Sequence, residues 1–145
     1  MTPLFRYYKY TNLQERTLND LSMPKLTMVT KIENGECPIR SVLDRVGDKW
    51  SVLIFVALKD EAKRFNEIKR LIGDISQRVL TSTLRRLEAD GYISRKVYPT
   101  APPKVEYSLT DRGQELFTLI HPLILWAKEN REGIFESRKA AENAK

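Results

Sequence analysis

The chain reads as a mainly helical α+β domain, and three observations predict that class. Apolar residues recur at helical spacing from about residue 38 to residue 89. The period then changes to strand-like alternation over residues 92 to 109, and a helical pattern returns from Thr110 onward. With 145 residues and 41% hydrophobic content, the chain holds enough apolar mass for one domain with a true core and a short extension. It is too short for separate cofactor and substrate lobes. The longest apolar run, Val52 to Leu58, is far below a membrane span, and residues 1 to 30 lack the apolar middle of a signal peptide. A cytoplasmic protein is therefore expected.

Residues 1 to 30 show no sustained period. Phe5, Tyr7, Tyr8 and Tyr10 cluster there, and the segment reads as an N-terminal extension whose order the sequence does not specify. The domain proper is assigned to 31 to 145. Pro38 suits the first position of a helix, because its missing N–H would be unpaired there in any case. Val42, Leu43 and Val46 give that helix a short apolar face before Gly47. The next helix, about Lys49 to Leu58, is apolar nearly all round, Trp50 and Phe55 included, which predicts a central buried element. A polar break at Lys59-Asp60-Glu61 follows.

Phe65, Ile68, Leu71 and Ile72 then form a helical stripe, closed by a turn at Gly73-Asp74-Ile75. Ser76 is placed to cap a helix running to about Ala89, with Gly91 as its left-handed stop. Leu80, Leu84 and Leu87 make its inner stripe. Tyr92 to Tyr98 and Lys104 to Leu109 alternate as two strands of a hairpin. The prolines of Pro99-Thr100-Ala101-Pro102-Pro103 belong in its tip, because they cannot donate to a ladder. Thr110-Asp111 opens the last helix, in which Pro122 should cause a kink. Leu116, Leu119, Ile120, Leu123 and Trp126 give that helix a wider apolar arc than a small domain needs. A homodimer interface is the expected use of the surplus.

Two short helices joined by a tight turn and followed by a two-stranded hairpin describe a winged helix-turn-helix, here with N- and C-terminal dimerisation helices. Charge supports a DNA-facing role. The formal net charge is +6, and residues 61 to 106 hold ten basic against six acidic groups, whereas residues 107 to 145 are balanced. The second helix of the motif would enter the major groove. Gln77 and Arg78 sit where bidentate contacts to adenine or guanine are useful, Thr81, Ser82 and Arg85 continue that face, and Ser76 at the helix N-terminus suits a phosphate oxygen. Arg95, Lys96 and Lys104 on the hairpin, with Arg64 ahead of the first motif helix, are the expected wing and backbone contacts. The competing reading is an amphipathic helix with a solvated basic face. The turn, the hairpin and the local charge together favour double-stranded DNA as the partner.

Several separate blocks also carry a resemblance. Cys37-Pro38-Ile39-Arg40, Gly47-Asp48-Lys49-Trp50, Arg64-Phe65-Asn66-Glu67-Ile68, Ile75-Ser76-Gln77-Arg78-Val79-Leu80-Thr81, Leu84 to Gly91, and Tyr98 to Thr110 stand in this order. With Pro122 and Trp126, the stretch of about residues 35 to 130 resembles the HxlR-type branch of the MarR-like bacterial regulators. The resemblance implies a homodimeric transcription factor pairing through its first and last helices, with one recognition helix in each half-site of an inverted repeat. The family includes repressors and activators, so the sign of regulation does not carry over.

Cys37 is the chain's single cysteine and His121 its single histidine, too few for a disulfide framework or a four-ligand zinc site. No cofactor is expected. Cys37 should stand at the N-cap of the first helix, where unpaired N–H groups and the dipole favour a thiolate and Arg40 adds to the effect; Glu33 and Glu36 oppose it. The resemblance implies that such a cysteine can sense oxidants or electrophiles, while inert packing is the usual fate of a lone thiol. A Cys37–His121 hydrolase lacks an orienting third group, so no enzyme is expected. Two alternatives stay within the fold: a small-ligand-responsive regulator with Trp50, Phe55 and Tyr92 lining a pocket, and a protein-interaction module without DNA binding.

Overall fold

The computed structural model describes residues 37–144. The extension at 1 to 30, with its aromatic cluster, and Glu33 and Glu36 lie outside the described residues.

Helix α1 (Pro38–Val46) opens on Pro38, as its fixed φ allows, and the N–H of Gly47 closes it on the carbonyl of Leu43 at 2.7 Å. Helix α2 (Lys49–Leu58) follows after two residues because Asp48 caps it. Its Oδ1 accepts from the N–H groups of Trp50 and Ser51, both at 2.8 Å. Helix α3 (Phe65–Ile72) begins with a reciprocal cap in which Arg64 N–H donates to Glu67 Oε2 at 2.7 Å and Glu67 N–H donates to the Arg64 carbonyl. Gly73, at φ +87°, turns the chain out of α3 in a conformation that L side chains avoid. Helix α4 (Gln77–Ala89) starts where Ser76 Oγ accepts from Val79 N–H.

Strands β1 (Ile93–Tyr98) and β2 (Lys104–Leu109) pair antiparallel, from Ile93 opposite Leu109 at the base to Tyr98 opposite Lys104 at the tip. An isolated bridge joins the segment ahead of α3 to the hairpin. Lys63 N–H donates to the Tyr107 carbonyl at 2.9 Å and Tyr107 N–H returns the bond at 2.8 Å. Helix α5 (Asp111–Asn143) completes the chain, capped by Thr110, whose Oγ1 accepts from Gly113 N–H and donates to the carbonyl of Gly91. The order helix, helix, helix-turn-helix, hairpin, long helix is the winged arrangement expected.

The core sits between α2, α3, α4 and the base of the hairpin. Ile54, Phe55, Leu58, Ile68, Ile75, Leu80, Leu84, Leu87 and Ile93 are buried together, and Phe55 meets the edge of Tyr92 at 5.9 Å between ring centres. Each such aliphatic side chain contributes about 1.5–3 kcal/mol by leaving water.

Two expectations need correction. Helix α2 is not buried all round: Leu53 and Val56 are exposed, because the described elements pack only on the side of Ile54, Phe55 and Leu58. Leu71 leaves the predicted α3 stripe and is 60% exposed, since a two-turn helix buries a narrow face centred on Ile68. Pro122 lies inside α5, where it removes one helical N–H, and the helix continues on both sides of it. At 33 residues and 1.5 Å per residue, α5 is about 50 Å long, longer than the core it packs on.

Candidate nucleic-acid interface

Helix α4 has two faces fixed by its sequence. Leu80, Thr83, Leu84 and Leu87 are buried, and Gln77, Arg78, Thr81, Ser82 and Arg85 line one open depression on the other side. The Thr81 hydroxyl donates to the Gln77 carbonyl at 2.8 Å and the Ser82 hydroxyl to the Val79 carbonyl at 3.0 Å. Both oxygens keep lone pairs to accept from a ligand. Among the described residues no hydrogen bond or ion pair engages the side chains of Gln77, Arg78 or Arg85. Ser76, exposed at the N-terminus, uses its Oγ to cap the helix.

Two adjacent arginines point to different tasks. Arg85 stands on the open face, whereas Arg86 donates through Nη2 to Asp48 Oδ2, the carboxylate that caps α2. Burial opposes ionisation of Asp48. The Ser51 N–H and hydroxyl, the Trp50 N–H and the Arg86 charge outweigh that penalty and hold its carboxyl below the ordinary value. Asp48 and Arg86 were not among the residues expected to act. A lone acid one residue ahead of an apolar helix signals a cap, but nothing local to it signals its distant arginine.

The hairpin distributes its charges by alternation. Ser94, Lys96 and Tyr98 share a face with Lys104, Glu106 and Ser108, while Arg95 lies on the opposite face with Ile93, Val97, Val105 and Tyr107. The expected wing set is therefore split. Lys104 Nζ lies 2.5 Å from Glu106 Oε1 and 4.8 Å from the ring centre of Tyr98, and Lys96 Nζ stands over the same ring, also at 4.8 Å. The Lys63–Tyr107 bridge puts Arg64 next to Glu106. The Lys104 hydrogen bond holds the Glu106 carboxyl below its ordinary value; burial opposes it, and the Tyr98 hydrogen bond and the charges of Lys104 and Arg64 add to the lowering. Glu106 was missed because a single acid in a basic strand reads as a surface residue.

The expected interface residues of α5 also divide. Leu119, Leu123 and Trp126 are exposed at 48%, 62% and 54%, whereas Leu116 packs against the core and Ile120 is buried within the chain. Ile39 and Leu43 of α1 are exposed as well. Cys37 is the N-cap residue of α1, as expected, and is 7% exposed. Of the three aromatics considered for a ligand pocket, Phe55 is fully buried against Tyr92, and Trp50 packs beneath Lys49 with Nζ 4.2 Å from its ring centre. Phe55 belongs to the core, and Trp50 and Tyr92 are partly buried against it. His121 is tilted against Phe117 at 5.7 Å.

The model of the HxlR-like helix-turn-helix family matches residues 45–134. The chain is 44% identical over 104 residues to the HTH-type transcriptional regulator YybR of Bacillus subtilis (strain 168), an alignment covering 72% of this chain and 82% of that relative. Among solved structures it is similar to the transcriptional regulator YtfH from Salmonella typhimurium, at TM-score 0.66 and 39% identity, covering 72% of this chain and 93% of that one. It is also similar to the redox regulator HypR in its reduced form, at TM-score 0.64 and 45% identity, covering 69% of this chain and 98% of the other.

Proposed function

The chain belongs to the HxlR-like helix-turn-helix family of transcriptional regulators, and on that premise we propose that it acts as a cytoplasmic homodimer that reads an inverted-repeat operator through α4. One observation carries this reading. Gln77, Arg78, Thr81, Ser82 and Arg85 form a continuous polar and cationic face, held rigid from behind by buried leucines, whose long side chains make no competing bonds among the described residues. Arg78 and Gln77, in the first turn, take the base-edge role, and Ser76 takes a phosphate. Arg64, Lys96 and, more weakly because Glu106 pairs with it, Lys104 meet the backbone on one side of the wing, while Arg95, on its other face, reaches a separate phosphate. Leu119, Leu123 and Trp126, with Ile39 and Leu43, supply the surface joining two copies. Regulation of this kind needs no catalytic step and no cofactor.

Hydroxyl-radical footprinting of the protein on duplex carrying its binding site tests the reading. Two protected half-sites related by a two-fold axis are expected, and protection of a single unsymmetrical patch would contradict it.

A second reading concerns the signal. The position of Cys37 at the N-cap of α1, next to the exposed Ile39 and Leu43, and the likeness to a redox regulator support oxidation of this thiol as the input. Oxidation would join two Cys37 thiols, or one thiol and a small thiol, with loss of two electrons and two protons to the oxidant. At 7% exposure the thiol needs the start of α1 to open first. Cys37→Ser should bind operator like the parent and keep that affinity after mild oxidation that releases the parent. A parent whose affinity is indifferent to oxidation would turn the search for the signal to small ligands.

A further inference from the structure

The acid on the wing is out of place for a phosphate-binding surface. Arg64, beside the Lys63–Tyr107 bridge, and Lys96 and Lys104, on the two strands, surround Glu106, which lies 2.5 Å from the Lys104 ammonium. The ring of Tyr98 sits under both lysines at 4.8 Å, which fixes their positions on the wing face. The strand register places Glu106 directly opposite Lys96, with Lys104 two residues before it on the same strand. Glu106 is thus the one acid of β1 and β2, which also hold Arg95, Lys96 and Lys104.

We propose that Glu106 tempers the wing's affinity for DNA of any sequence: by holding Lys104 and offsetting the wing's positive charge, it keeps sequence-independent phosphate binding weak, so that residence on duplex lacking the operator is short. The inference rests on the DNA-binding reading above and adds a role to a residue that touches no base. Phosphate contacts contribute affinity to every duplex alike, whereas base contacts discriminate between duplexes. A wing with one cation cancelled therefore lowers operator and random affinity together, and lowers the time lost on random DNA. Replacing the carboxylate by an amide of the same size frees Lys104 for a phosphate.

The test is a salt titration of binding to a random-sequence duplex and to the selected operator, with parent, Glu106→Gln, Lys104→Gln and the double variant. Thermal unfolding of each protein runs alongside. Glu106→Gln should bind random duplex about tenfold more tightly at 0.1 M salt, and its log–log salt slope should steepen by about 0.9 for each added phosphate contact. Lys104→Gln should bind random duplex more weakly than the parent, because Glu106 is then left unneutralised by its nearest cation. The double variant should return close to the parent. Unchanged random-duplex affinity and slope in Glu106→Gln would overturn the inference. So would weakened binding in Glu106→Gln that the second substitution does not restore, since that pattern marks a damaged wing. A parent that binds no duplex at any salt would instead remove the DNA-binding reading, and this inference with it.

Discussion

Arg86, in the last turn of α4, donates to the carboxylate of Asp48, which lies 38 residues earlier and caps helix α2. A second pair, Arg45 Nε to Asp90 Oδ2 at 3.0 Å, ties the last turn of α1 to the C-cap of α4. Both links run from the α1–α2 corner to the C-terminal half of α4. The two are not equal. Arg86 and Asp48 are each about one-third exposed and share Ser51 in a hydrogen-bonded group, whereas Arg45 is 47% exposed.

The first prediction follows from that inequality. Arg86→Met should lower stability by roughly 1–3 kcal/mol, the usual cost of leaving a charged hydrogen-bonding group without its partner. Arg45→Ala should cost about 0–1 kcal/mol, as exposed pairs do. Urea unfolding of the two variants measures both, and an equal loss would contradict the account.

The second concerns pH. The Asp48 carboxyl is held below its ordinary value of 3.8 in the folded protein, so the folded state binds fewer protons than the unfolded chain over that range. Its contribution is therefore present above the ordinary carboxylate value and is lost as pH falls through the lower folded value. Urea midpoints taken between neutral and acid pH should fall more steeply below about pH 4 in the parent than in Asp48→Asn. Parallel curves would contradict this.

The third tests how the hairpin is joined to α5. A side chain at Gly113 would place its Cβ well inside contact distance of the Tyr92 carbonyl, a backbone atom with no room to yield. Gly113→Ala should cost roughly 1–3 kcal/mol by overpacking. A change at Gly133, in open surroundings on the same helix, should have no such effect on the packing. Thermal unfolding distinguishes them, and similar melting temperatures would count against the described junction.

The fourth addresses assembly. Leu123, 62% exposed on α5, lies outside the chain's own core. Leu123→Glu should leave the fold intact while shifting sedimentation toward a single copy at micromolar concentration. Unchanged sedimentation would exclude this part of α5 from the interface.

Much of this architecture is legible in sequence because its signals are local. Pro38, Asp48, Ser76 and Thr110 each start a helix through a bond or a constraint spanning at most three residues. Gly91 and the change to alternation after it mark the start of the hairpin, within one residue of β1. What was not legible depends on distant partners or on how many sides an element covers. The composition of α2 says that it is apolar, but only packing reveals that Leu53 and Val56 stay outside. The Lys63–Tyr107 bridge hides in a polar break of no strand-like period. The polar, cationic face of α4 follows from amphipathic spacing, whereas the Glu106 cluster needs the register of the hairpin and its bridge to Lys63, and the opposing assignments of Arg85 and Arg86 need the position of Asp48.

The most direct test of the central claim is a binding selection from random duplex DNA at physiological salt, run with reduced parent protein and with Arg78→Ala. The account predicts an enriched inverted repeat for the parent, with half-sites about 34 Å apart, one turn of the duplex. Arg78→Ala should retain the repeat but lose preference at one position in each half-site, a cost of about 1–3 kcal/mol at that base pair. No enriched repeat for the parent, or the same repeat with undiminished preference in Arg78→Ala, would contradict it.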